Sequence, residues 1–95
     1  MKKPMLYVDF NEMLESNLVL LSVEDIKTDS RGGVVSLHEG LEVIVYMDDS
    51  DGNGNADNLV ARGVVERNNS TIGWAAHVKW CCRICSGGIR HESEL

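Results

Sequence analysis

Hydrophobic residues in this chain recur mostly at every second position, the period of a strand that turns one face to a core. Leu6, Val8 and Phe10 share one side of a first short strand, and Leu18–Leu21 is a continuous apolar run with the length and flanks of a buried strand. Residues 34–37 read as another short strand. In the clearest one, Leu41, Val43, Val45 and Met47 alternate with Glu42, Ile44, Tyr46 and Asp48, so the odd positions face the core. Residues 59–66 resume the pattern around Gly63, and a glycine in mid-strand predicts a bulge or a sharp bend. Residues 74–84 form the longest predicted strand, with Ala76, Val78, Trp80, Cys82 and Ile84 on one side and His77, Lys79, Cys81 and Arg83 on the other.

Between these segments lie polar or glycine-containing stretches at 28–33, 48–58, 68–71 and 86–88, which predict turns. Phe10, Met13, Leu14 and Leu18 also fit helical spacing, and Asp9 with Glu12 forms a potential capping box, so a short helical turn is expected at 11–16. A second brief turn is expected at 22–25. The tail 89–95 is polar and is expected to fray or to add one edge strand.

Strand signals separated by turns, with little helix, predict an all-β protein. Five to six short strands are too few for an immunoglobulin-type sandwich, so the expected architecture is a small, strongly bent, mostly antiparallel barrel, a single domain over 1–95. The order of a Gly-x-x-Val-x-Val strand (Gly40-Leu41-Glu42-Val43-Ile44-Val45), a long loop, a strand with a central glycine (Ala61-Arg62-Gly63-Val64-Val65-Glu66) and a long strand resembles the Src-homology-3-like barrel class over residues 34–85. The resemblance implies a barrel fold. It does not extend to proline-peptide recognition, because the five aromatic residues do not supply an aromatic groove.

Composition sharpens this picture. Nine Lys and Arg face fifteen Asp and Glu in 95 residues, a net charge of −6, which disfavours coating of DNA or anionic lipid by bulk attraction. No apolar run is long enough for a signal sequence or a membrane span, so the expected location is the cytoplasm. Cys81, Cys82 and Cys85 lie within five positions and cannot staple distant segments, so they are expected to be reduced.

The chemistry on offer is sparse. No nucleophile elbow, phosphate loop or His-Glu-x-x-His is present. On one strand His77 and Cys81 would stand roughly 13 Å apart, beyond nucleophile activation. Cys82-x-x-Cys85 is a thiol pair that would need His77 and His91 to complete a zinc site. His77, Lys79 and Arg83, joined by Arg62 from a neighbouring strand, form a basic stripe suited to an anionic partner, RNA included; Trp74, Trp80 and Tyr46 are the available stacking rings.

The sharpest local signal is the loop 49–57. Asp49, Asp51, Asn53, Asn55 and Asp57 occupy positions 1, 3, 5, 7 and 9 of a calcium-type loop, with Gly54 at the sharp turn and Val60 where a bidentate Glu would stand. It resembles the Asp-x-Asp-x-Asn-Gly-x-x-Asp loops of calcium sites, which implies weak calcium binding; the alternative for the same residues is a plain solvated hairpin turn, with no cofactor at all. The functional expectation is a non-enzymatic module that binds a partner protein. A calcium-stabilised domain and an RNA-binding barrel are the alternatives, and a homodimer through an edge strand is a further possibility.

Overall fold

The structure is a computed structural model that describes residues 3–50, 52–69 and 73–94. It is all-β, with a 3-10 turn at Glu92–Glu94. The strands are β1 (Met5–Tyr7), β2 (Met13–Glu15), β3 (Leu18–Ser22), β4 (Ile26–Thr28), β5 (Val34–Ser36), β6 (Glu42–Met47), β7 (Leu59–Arg67), β8 (Trp80–Ile84) and β9 (Arg90–His91). Among the described residues no helix is long and apolar enough to cross a membrane.

Seven strands form one mixed sheet in the order β1-β6-β7-β8-β3-β2, with β9 also on β7; β4 and β5 make a separate hairpin. All pairs are antiparallel except β1 with β6, which is parallel. Among the described residues no ladder joins β1 to β2, so the sheet bends without closing into the expected barrel. β7 is the organiser. One edge takes β6; the other takes β8 along Gly63–Arg67 and β9 at Leu59 and Val60. Between those two partners the chain leaves at Cys85, whose N–H donates to the Arg62 carbonyl at 2.9 Å, and turns back through Gly87 and Gly88.

Alternation places Val43 and Val45 of β6, Ala61 and Val65 of β7, Trp80, Cys82 and Ile84 of β8, and Val19 and Leu21 of β3 in one buried cluster with Leu6 and Val8. Val35 and Leu37 from the β4–β5 side cap it. A smaller cluster lies on the sheet's other face, where Leu18, Leu20 and Cys81 meet Ala75 and Val78. The run Leu18–Leu21 is unbroken because both faces of β3 are covered, each by its own cluster.

Several sequence expectations are corrected. The helical turn at 11–16 is a hairpin of β2 and β3, because Met13 and Leu14 find opposite faces of a sheet to pack on. Residues 22–25 bend into β4 rather than a helical turn. The long strand at 74–84 begins only at Trp80. Ala75 and Val78, three apart, both enter the smaller cluster, which a turn allows and a strand does not. The half-buried Asn68 amide fastens that turn by donating to the carbonyls of Ala75 (2.9 Å) and Val78 (2.8 Å). As a result Ala76 is exposed and Cys81 is fully buried, the reverse of the alternation read through them.

Gly63 is no bulge either, since its pairing with Val43 and Ile84 stays in register; a Cβ there would overlap the Cys82 sulfur. Register shifts fall instead between Leu20 and Ser22 and between Met13 and Glu15. The tail adds an edge strand, one of its two expected fates.

Candidate binding face

Among the described residues, the turn around Ala75 and Val78 packs over the β3–β8 end of the face opposite the main core. Towards β1 that face stays open. There the register sets Met5, Ile44 and Arg62 in one row across β1, β6 and β7. Two clefts share this row. One, of about 530 Å³, lies between it and the turn at Asp29–Arg31, with Lys3 at its rim. The other, of about 740 Å³, continues over Val60 to a wall made by the loop from Cys85 to Gly88 and by Arg90, Glu92 and Glu94. Together they form a trough with an apolar floor and a charged rim.

The walls of the trough are fixed. The Asp29 carboxylate accepts the N–H groups of Arg31 (2.9 Å) and Gly33 (2.8 Å), which locks the turn, and the Ser30 N–H donates to the Met5 carbonyl at 2.9 Å, which ties the turn to β1. At the other wall, His91 Nε2 lies 2.8 Å from Asp49 and its Nδ1 lies 3.3 Å from Glu94, while Ser93 donates to Asp57 through its N–H (3.0 Å) and hydroxyl (2.8 Å). The Asp49 contact holds the His91 pKa above its ordinary value, and His91 in turn lowers that of Asp49.

The four residues of the predicted basic stripe do not share one row. His77 is exposed in the 73–77 turn. Lys79 pairs with Asp25 at 2.6 Å, and Arg83 pairs with Glu66 at 2.9 Å and Glu15 at 3.3 Å. Each of those two cations is thus paired with a carboxylate of the chain itself. Arg62 alone of the four lines the trough. Of the stacking rings, Trp80 is buried with its indole N–H on Asp25, Tyr46 meets Tyr7 edge-on, and the exposed Trp74 sits in the distant turn.

In the loop expected to bind calcium, Asp51 lies outside the described residues. Gly54 has φ 84°, the left-handed turn that position requires, and the loop closes through Asp57 N–H to the Asp49 carbonyl at 2.9 Å. The Asp49 and Asp57 carboxylates are engaged by His91 and Ser93, so a cation there would have to displace both contacts. Among the described residues no group of three or more His, Cys, Asp or Glu is gathered for a metal. Cys82 points at Gly63 in the core, whereas the exposed Cys85 lines the trough. Burial pushes the Cys81 thiol up to about 11 and that of Cys82 up to about 12, so both are poor nucleophiles at neutral pH.

Lys3, Met5, Asp29 and Arg31 are not recognisable in the sequence as site residues. They fall in two short segments, 3–5 and 29–31, far apart in the chain and without a motif; the β1–β6–β7 register and the Ser30–Met5 bond bring them to Ile44 and Arg62. No family model, no curated protein and no solved structure matches the chain.

Proposed function

We propose that the protein is a non-enzymatic binding module that seats an extended segment of a partner protein in the trough on its open sheet face. The observation that carries this reading is the trough itself: a floor of Met5, Ile44 and Val60 between two hydrogen-bonded walls, on a face the chain leaves uncovered. Concave, largely apolar surfaces with a few placed charges are the usual form of such sites. Charge supports a protein occupant over a nucleic acid. The chain carries −6 overall, and among the described residues no aromatic ring lines the two clefts, the nearest, Tyr7 and Tyr46 in the next row of that face, being packed edge-on against each other. The buried, high-pKa thiols of Cys81 and Cys82 support the absence of covalent catalysis, and three free cysteines support a cytoplasmic location.

The test is to pan a library of random peptides against the protein and to map bound peptides by amide chemical shifts. Shifts confined to β1, β6, β7 and the 85–88 loop, and lost in Ile44→Glu, support the reading. Peptides that perturb the 73–78 turn or the β4–β5 hairpin instead refute it.

A further inference from the structure

Most of the described cations are neutralised or occupied by contacts inside the fold. Lys3 lies 3.3 Å from Glu42, Lys79 and Arg83 have carboxylate partners, Arg90 donates to the Gly87 carbonyl, and Arg67 lies over the Trp80 ring. Among the described residues Arg31 and Arg62, like the half-buried Lys27 elsewhere in the fold, have neither an ion pair nor a side-chain hydrogen bond, in a chain where acidic groups outnumber basic ones. Both line the same 530 Å³ cleft. They reach it from different parts of the fold, Arg62 from β7 and Arg31 from the turn that Asp29 locks and Ser30 fastens to β1. Two unpaired guanidinium groups facing one cleft repel each other, and an anion between them removes that repulsion.

We propose that this cleft is a carboxylate-binding site in which Arg31 and Arg62 grip an acidic group of the partner segment lying along the trough. The proposal rests on the reading of the trough as a peptide site and assigns the chemistry of its occupant. A guanidinium presents a planar fork of N–H donors that matches a carboxylate two-to-two. The local charge balance selects the anion. Lys3, Arg31 and Arg62 face Asp29 and the neighbouring Glu42, an excess of one positive charge, which suits a monoanionic carboxylate better than a dianionic phosphate. Beside Arg62 in the same row, Met5 and Ile44 make the floor apolar, so the favoured segment carries aliphatic residues next to its acidic group.

The experiment follows arginine side-chain Nε–H and backbone amide resonances of the full chain during titration with three N-acetylated peptides of equal length, the first two also amidated at the C-terminus. One alternates Glu and Val, one alternates Ser and Val, and one repeats the first with a free C-terminus. Inorganic phosphate is titrated separately. The expected result is that the Glu–Val peptide moves the Arg31 and Arg62 signals and binds about fivefold or more tightly than the Ser–Val peptide. Arg31→Ala and Arg62→Ala each remove that preference, added salt weakens it, and Arg67→Gln leaves it unchanged. Tighter binding of the free C-terminus assigns the site to a terminal carboxylate; equal binding assigns it to side chains.

Equal binding of the Glu–Val and Ser–Val peptides, unaffected by either arginine variant, overturns the carboxylate site and leaves the trough standing. No shift with any peptide overturns both. Saturation by phosphate at a lower concentration than by the acidic peptide overturns the choice of anion. Both arginines are exposed, and an unchanged urea midpoint in each variant shows that a lost preference is not lost folding.

Discussion

Gly63→Ala is a single methyl group placed where the structure has no room. Gly63 lies in the middle of β7, with β6 and β8 on either side of it. A Cβ there overlaps the Cys82 sulfur and lies 2.8 Å from the Arg83 carbonyl oxygen. Cys82 is fully buried, so its sulfur has little freedom to move, and the second contact is backbone in a ladder. Overpacking of this kind costs about 1–3 kcal/mol. Replacing a strand glycine otherwise recovers about 0.5–1 kcal/mol, through the smaller entropy of the unfolded chain.

The backbone contact puts the cost at the upper end, so the net loss is about 2 kcal/mol, out of roughly 5–14 kcal/mol expected for a chain of this length. A melting point lower by about 8–16 °C follows. Urea unfolding read by tryptophan fluorescence measures it. The paired variant Gly63→Ala/Cys82→Ala separates the causes. With the sulfur removed, the second methyl should cost at least about 1 kcal/mol less than in the native background, the remainder belonging to the Arg83 carbonyl. A Gly63→Ala variant as stable as the parent would refute the steric argument and return Gly63 to the role of a flexible bend.

Other outcomes follow from the same geometry. Trp80→Ala should lower stability by about 3–5 kcal/mol in urea unfolding, because it empties the middle of the main cluster and removes the indole bond to Asp25 at 3.0 Å. A thiol titration should find one fast-reacting group, Cys85, in the folded protein and three after unfolding, since Cys81 and Cys82 are buried; fast reaction of all three would contradict the core. His91 gives the tail a pH dependence. Its pKa is raised in the fold above 6.5, mainly by Asp49, so its contribution is complete below that value and fades as pH rises through the folded pKa. The Asp49 pKa is lowered below 3.8, mainly by His91, so its share is complete above 3.8 and is lost on further acidification. Protection factors of the β9 amides, which divide out the base-catalysed rise of intrinsic exchange, should be highest between those limits and fall towards pH 8, and His91→Gln should flatten that profile; an unchanged profile would show that the Asp49 contact does not hold the tail.

The pattern along the chain by itself determines that the protein is all-β, that Val43 and Val45 face inward, that Leu18–Leu21 is buried, and that turns fall at 30–32 and 52–54. These are local matters, since a period of two and the turn chemistry of Asp, Asn and Gly act within a few residues. Pairing is not local. Nothing near Met5 specifies that β1 lies parallel to β6, and nothing near Trp74 specifies that Asn68 holds the next residues in a turn, so the strand predicted at 74–84 starts six residues too early. The closed barrel fails for the same reason, because closure depends on which edges meet and periodicity carries no information about edges. The basic stripe is read along one strand, where neighbours in sequence are easiest to see, yet two of its members are neutralised by carboxylates from other parts of the chain. The cleft around Arg31 and Arg62 is assembled from residues up to 59 positions apart, between Lys3 and Arg62, and exists only after three strands have taken their register. The sequence encodes which surfaces must be buried; the tertiary structure decides which charges are left facing one another without a partner, because that depends on every ladder at once.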